Sequence, residues 1–390
     1  MNKPRVLIVH NRYRMAGGED AVVEAEVELL RRNGHAVAAY FRSNDDLAQM
    51  RSVDALVHTL WSRRTWNDIA RAVCEFRPDL IHAHNTFALV SSSLYWVAAQ
   101  WRIPVVQTLH NFRLMCVQAM FLRDQQVCED CLGRVPWRGV ARRCYRGSAL
   151  QSAAVATMLA AHRALGTYRD KVTRYIALNE FCRQKFIEGG LPASRIAVKP
   201  NFVDVERPPD IARRGGLYVG RLAPEKGVDT LRSALRALPG VTIDVIGGGP
   251  GQAEAEGDPQ LRVLGWLEPR EIFERMRSAS YLVMPSLWYE NCPRALIEAY
   301  GNGLPVIASR LGALSELVAH GVTGLQFEAR SAADLARHIA WAEAFPRKMR
   351  VMGENARRTY EARFTSSRNY DQLLCIYEDA LTEQRSRVAA

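Results

Sequence analysis

Long hydrophobic runs are missing from this sequence of 390 residues. The apolar stretch nearest its start is only Val6 to Val9, whereas a bilayer-spanning helix needs about 20 residues, and Met1 to Lys3 supply no basic leader region. A cytoplasmic protein is the expectation. No D-x-D occurs anywhere in the chain, so the paired carboxylates that usually fix a divalent cation on a diphosphate are missing. Neither of its glycine-rich turns, Gly17-Gly18 and Gly247 to Gly251, has the G-x-G-x-x-G spacing, which argues against a nicotinamide dinucleotide site. Tandem repeats and low-complexity segments are also absent, which sets aside solenoids and disordered tails.

Acidic residues are scarce in one region. The net charge is +11, and residues 101 to 200 carry almost all of it, with 16 Lys and Arg against 6 Asp and Glu. A basic patch on one domain can bind anionic lipid, nucleic acid or a phosphorylated substrate; an anionic membrane surface is the expected contact if the substrate is lipid-linked, with a dispersed solvated surface as the alternative. The hydrophobic share of 48% and charged share of 24% are those of a soluble globular chain long enough for two cores.

Strand and helix patterns alternate through both halves. Strands are expected near Arg5 to His10, Ala36 to Phe41, Leu80 to Ala83, Val105 to Thr108 and Arg174 to Leu178, and helices near Glu19 to Arg32, Trp66 to Phe76 and Ser91 to Trp101. The grammar restarts after a Gly- and Pro-rich junction near Asn201 to Pro209, with a strand at Gly216 to Gly220 and a helix near Gly227 to Leu238. Repeated β and α units imply parallel sheets covered on both faces, with ligands at the C-terminal strand ends. The fold class is therefore α/β with two Rossmann-like domains: residues 1–200, residues 201–365, and a C-terminal helix over 366–390 with apolar positions Tyr370, Leu373, Leu374 and Tyr377.

Residues 112–148 break the alternation with Cys116, Cys128, Cys131 and Cys144. A C-x2-C pair is half of a usual zinc site, so a structural Zn2+ on these four thiols stands beside the reading that they are unliganded. Disulfides are disfavoured in a reducing compartment. The small-residue helix from Ala149 to Ala161 is either a core helix or part of a membrane-facing surface.

The stretch Tyr281 to Ser309 reads as strand, polar loop, helix and strand, with Pro293 as the first helical residue and Gly301-Asn302-Gly303 as the stop. Glu290 and Glu298 bracket the helix start. Eight helical steps would span about 12 Å, which is wider than a glycosidase acid/base pair. Separate duties on one long ligand fit better, the alternative being a solvated loop Glu and a salt-bridged helix Glu. Upstream, the strand-to-helix loop GRLAPEKG carries Arg221 and Lys226, two cations able to neutralise a leaving diphosphate without metal.

The ordered set GRLAPEKGVDTL, PSLWYENCPRALIEA and GLPVIAS resembles the retaining glycosyltransferases of family four, whose two Rossmann-like domains face each other across a cleft in the GT-B arrangement. The resemblance covers most of the chain. It implies that Glu290 sits by the donor sugar, that Glu298 binds the ribose hydroxyls, and that Arg221 and Lys226 bind the donor phosphates. Asn291, Cys292 and Pro293 stand where the family has a glycine-rich E-G-F-G, and Asn291 and Cys292 are taken as substrate-binding. Gly17 and Gly18 are expected to face the donor pyrophosphate, and His110, in TLHN, to hydrogen-bond the sugar. His84 is an acceptor-side candidate, and the last helix is expected to cross back onto the N-terminal domain. The function implied is retaining, metal-independent transfer of a sugar from a UDP- or GDP-sugar to a lipid-linked or glycan acceptor, with no catalytic cofactor. A nucleotide-sugar epimerase on the same fold is the alternative within enzymes. A zinc-knuckle nucleic-acid binder is the alternative outside them, and it leaves Glu290 and Glu298 idle.

Overall fold

A computed structural model describes residues 3–14, 17–209 and 211–389. The chain divides into two compact units. The first comprises Met1–Phe121, Glu129–Pro200 and Asn369–Ala390, and the second Leu122–Cys128 and Asn201–Arg368. Each is α/β, and each is built on one six-stranded sheet in which every pairing is parallel.

In the first half of the chain the strands are β1 (Val6–Arg12), β2 (Val37–Ser43), β3 (Leu80–Ala83) and β4 (Val105–Leu109). They are followed by the short antiparallel hairpin β5 (Leu122–Arg123) and β6 (Gln126–Val127), and then β7 (Arg174–Ala177) and β8 (Ile196–Val198). The hairpin belongs to the second unit. The first unit's sheet has the order β2-β1-β3-β4-β7-β8. Val6, Leu7, Ile8 and Val9 are all buried, as expected for a parallel strand covered on both faces, so β1 reads as a continuous apolar run.

The helix Ser366–Ala389 supplies Leu373, Ile376, Tyr377 and Ala380, at helical spacing, to a core shared with Val6, Ile8, Val27 and Ile176. The tail from Asn369 is thereby part of the first unit's core. The sequence reading had Leu374 on this face. Leu374 is half-buried and Ile376 takes the deeper position. The helix Ser52–Leu60, for which no expectation was formed, packs against the helix Ala149–Ala164. The latter runs one turn past the predicted Ala161 and buries Val155, Met158 and Leu159, so it is a core helix.

The second unit's sheet comprises β9 (Gly216–Val219), β10 (Ile243–Ile246), β11 (Leu261–Gly265), β12 (Tyr281–Met284), β13 (Val306–Ser309) and β14 (Gly324–Phe327), in the order β11-β10-β9-β12-β13-β14. Successive connections run outward from β9 in one direction and from β12 in the other, so the order reverses between these two neighbours. Such a switch point leaves a crevice at the C-terminal strand ends, because the loops leaving the two strands diverge. In the second unit the diverging loops are Gly220–Gly227 and Pro285–Pro293. In the first unit the same reversal lies between β1 and β3, whose ends carry His10 and His82.

The two loops of the second unit touch through backbone. Leu287 donates its N–H to the Glu225 carbonyl at 2.8 Å, and Gly227 lies in the left-handed region (φ 73°) with no room for a side chain, since a Cβ would overlap the Pro285 carbonyl. Gly227→Ala adds both a left-handed strain and a backbone clash, together at least about 2 kcal/mol. Urea denaturation is expected to show that loss. A change below about 0.5 kcal/mol would mean that the two loops do not meet there.

Candidate functional site

The Gly220–Gly227 loop leaves β9 with Arg221 near its start, and its short helix-like turn Pro224–Lys226 carries Lys226. Arg221 pairs with Glu225, a nearly buried carboxylate. Lys226 reaches the neighbouring loop, where its Nζ lies 2.7 Å from Glu290 Oε1 and 5.3 Å from the centre of the Trp288 ring.

Glu290 is 4% exposed and therefore needs compensation. Its Oε1 accepts from Lys226, from the Ser286 hydroxyl at 2.8 Å and from the Trp288 indole at 3.0 Å. Burial pushes this carboxyl up, but the Lys226 ammonium and the three donors outweigh it and hold the group below the usual glutamate range. Glu290 is an anion at neutral pH, rigidly placed beside a cation.

The second carboxylate is arranged differently. Glu298 lies on the second turn of the helix Arg294–Gly301 and accepts from Arg294 at 3.1 Å. Burial, opposed by Arg294, raises its pKa. The structure corrects the start of this helix. Pro293 is the N-cap in an extended conformation (ψ 126°), not the first helical residue, and it offers no capping side chain. First-turn N–H groups at a helix start suit anions, and here the Leu296 N–H is taken by the Pro293 carbonyl at 3.1 Å. Because Asn291, Cys292 and Pro293 are not helical, the helical rise applies only to the second half of the Glu290 to Glu298 interval. The 12 Å figure, based on eight helical steps, therefore does not hold. Cys292 is buried, and its carbonyl accepts from the Asn201 amide at 3.2 Å, so it anchors this loop to the start of the unit.

The glycine turn after β10 has a structural origin. Leu222 donates to the Gly248 carbonyl at 3.0 Å, Gly251 donates to the Leu222 carbonyl at 2.9 Å, and a Cβ on Gly247 would meet the Gly220 backbone. These glycines let two chain segments touch directly beside Arg221.

In the first unit Gly17 is the N-cap of the helix Gly18–Arg32, in an extended conformation, and its N–H is donated to Asp20 Oδ2 at 3.0 Å. The expectation that Gly17 faces the donor pyrophosphate requires this N–H to exchange Asp20 for phosphate. Asp20 also accepts from His10 Nε2 at 2.8 Å, and burial, overcome by these bonds, leaves it below the usual aspartate range. His110 directly follows β4, half-buried, with Nε2 2.9 Å from His84 Nδ1.

Sequence reasoning missed Glu26, Asp20 and Lys199, which surround the histidines. Glu26 was open to discovery, since it interrupts an otherwise apolar helix face of Val22, Val23, Val27 and Leu30. Of the four cysteines, Cys116 and Cys131 are buried and Cys128 and Cys144 half-buried.

The family model for glycosyltransferase family 4 matches residues 16–207, and that for glycosyl transferases group 1 matches residues 214–359. The D-inositol 3-phosphate glycosyltransferase of Mycolicibacterium smegmatis is 27% identical over 345 residues, covering 82% of this chain and 75% of its own. The protein of the same name from Mycobacterium tuberculosis is 28% identical over 356 residues, covering 81% and 68%. Among solved structures, sucrose-phosphate synthase from Thermosynechococcus elongatus superposes with a TM-score of 0.72 at 18% identity, over 97% of this chain and 100% of its own. The Anabaena protein HepE, solved with UDP, gives 0.67 at 19% identity, over 96% and 99%. These structural likenesses show the GT-B fold, and the two family models together span nearly the whole sequence. The chain is a glycosyltransferase and belongs to glycosyltransferase family four.

Proposed function

We propose that this enzyme transfers a sugar, with retention and without a metal ion, from a UDP- or GDP-sugar to a lipid-linked or glycan acceptor. The observation that carries this reading is the second unit's switch point. There, Arg221 and Lys226, a helix start at Arg294 and a buried anionic Glu290 all belong to the two loops that diverge from β9 and β12. Two cations and first-turn N–H groups stabilise the charge that develops on a leaving diphosphate. In the absence of ligand each cation has a carboxylate partner, so a diphosphate must compete with Glu225 and Glu290. Such competition orients Lys226 in advance, and it frees Glu290 to accept from a sugar hydroxyl once Lys226 turns to phosphate. Glu298 is assigned to the ribose hydroxyls, with Asn291 and Cys292 in the same loop, Gly17 and Gly18 to the pyrophosphate, and His110 to the sugar. The UDP in one HepE structure and the UDP-glucose in another support a nucleotide-sugar donor.

Thermal denaturation with UDP, GDP and ADP in EDTA tests this reading. One nucleotide at about 100 times its dissociation constant is expected to add about 2.7 kcal/mol, with the shift lost in Glu298→Ala and at least tenfold weaker binding in Lys226→Met. No shift with any of the three, or a shift that requires Mg2+, refutes a metal-independent donor site in this unit.

Peripheral contact with an anionic membrane belongs to the same proposal. It is supported by the basic bias of residues 101 to 200 and by Val135, Trp137 and Leu150, which are exposed. Among the described residues no helix is long and apolar enough to cross a membrane. Co-sedimentation with phosphatidylglycerol vesicles, weakened severalfold by raised salt or by Trp137→Ala, is the expected result, and equal recovery with neutral vesicles refutes it.

For the cysteine-rich segment the proposal is one structural Zn2+ on Cys116, Cys128, Cys131 and Cys144. Metal analysis of the purified protein is expected to find one zinc per chain, lost in the Cys128→Ser, Cys131→Ser double variant. Zinc-free protein of full thermal stability refutes it.

A further inference from the structure

A buried polar chain runs through the first unit from Lys199 to His110. Glu26 is 1% exposed. Its Oε2 accepts from Lys199 Nζ at 2.9 Å, and Lys199 also donates to Asn369 Oδ1 at 3.1 Å. The other carboxylate oxygen, Oε1, lies 3.0 Å from His82 Nδ1 and 3.7 Å from His84 Nε2. His82 has further partners, with Nε2 2.8 Å from the Thr108 hydroxyl and Nδ1 2.8 Å from the Tyr377 hydroxyl. His84 continues the chain, its Nδ1 2.9 Å from His110 Nε2 and the two rings stacked 5.2 Å apart.

His84 Nε2 is buried with no hydrogen-bond partner and lies 3.7 Å from Glu26 Oε1, an oxygen that His82 Nδ1 also approaches at 3.0 Å. Glu26, His82 and His84 bring together the ligand atoms of a divalent-cation site. Lys199, however, already neutralises Glu26, and a dication there would lie beside an ammonium with one carboxylate to share. A proton arrangement accounts for the cluster better.

Burial holds His84 well below the usual histidine range and brings His110 down to about 3, so each ring carries one proton at neutral pH. Across the 2.9 Å contact one ring donates and the other accepts. If His84 donated from Nδ1, its Nε2 lone pair would point at the Glu26 carboxylate. Placing the proton on His84 Nε2 instead turns that repulsion into attraction, which makes His84 Nδ1 the acceptor and His110 Nε2–H the donor.

We propose that Glu26 is a positioning residue that, through His84, fixes His110 as the Nε2–H tautomer and so keeps His110 Nδ1 as an acceptor for a hydroxyl of the donor sugar. The last step rests on the assignment of His110 to the sugar. The tautomer does not depend on that assignment.

The test uses the full chain labelled with 15N-histidine, the His110 signals being identified by their loss in His110→Gln. The wild-type protein is expected to show His110 protonated at Nε2 and unprotonated at Nδ1 through the neutral range. In Glu26→Gln the carboxamide N–H2 can donate to His84 Nε2, and His110 is expected to move to the Nδ1–H form. Affinity for UDP-glucose, or GDP-mannose if the guanine nucleotide is selected, should then fall about tenfold while that for the bare nucleotide stays within twofold. An Nδ1–H His110 in the wild-type protein overturns the proposal, and that spectrum decides even if Glu26→Gln fails to fold. A tautomer unchanged in Glu26→Gln overturns the role of Glu26. A tautomer that moves with no sugar-dependent loss overturns the link to the sugar alone.

Discussion

Parallel sheets covered on both faces can place polar chemistry only where their strands end. Within each sheet the backbone groups are consumed by the ladder, and the side chains of β1, β12 and β13 are buried almost without exception. Loops at the strand ends, and the helix starts that follow them, are then where charge can meet both solvent and ligand. Which loops matter follows from strand order. Only where the order reverses do two loops part and leave a crevice, and in the second unit those loops carry Arg221, Lys226, Glu290 and the helix that bears Glu298.

Glu26 is the exception that tests this constraint. It sits inside the first unit on the face of a helix that otherwise contributes Val23, Val27 and Leu30 to the core. Deleting either member of a buried ion pair typically costs about 3 to 5 kcal/mol, because the other charge is left without compensation. Lys199, Asn369 and Tyr377 come from distant parts of the sequence to meet it and its histidines, two of them from the last helix. That tail therefore supplies polar partners as well as apolar area. The sequence reading counted Tyr377 only among its apolar positions, since apolar periodicity records which face is buried and not what a tyrosine hydroxyl on that face will reach.

The same difference explains what could be read in advance. Alternating strands and helices, the GRLAPEKG loop and the carboxylates around the 293 region were legible because each depends on local signals of spacing, glycine and proline. The first helical residue was not, because proline's φ near −65° suits both the N-cap and the first helical position, and only ψ separates them. Nor was the pairing of Lys226 with Glu290, since 64 residues separate them and only the adjacency of β9 and β12 brings them together. The isolated Glu in the apolar stripe of the helix Gly18–Arg32 was visible as an anomaly. Its partner, a lysine after β8, was not predictable from pattern.

The two buried carboxylates show how one chemical device serves opposite ends. Glu26 is enclosed on all sides, so its charge can act only through neighbours, and the neighbours are imidazoles whose protons it arranges. Glu290 lies on a loop at a strand end, and the cation that compensates it is itself a candidate phosphate ligand. When a diphosphate draws Lys226 away, Glu290 loses its strongest compensation and must recover it from another donor in the site. A sugar hydroxyl is the donor that a nucleotide sugar brings with it. On the proposed assignment of Lys226 and Glu290, binding the phosphate and binding the sugar would be coupled through one ion pair, and a bare nucleotide would leave Glu290 with only Ser286 and Trp288. That imbalance favours the intact donor over its leaving group, which is the preference a transferase needs at the start of its cycle.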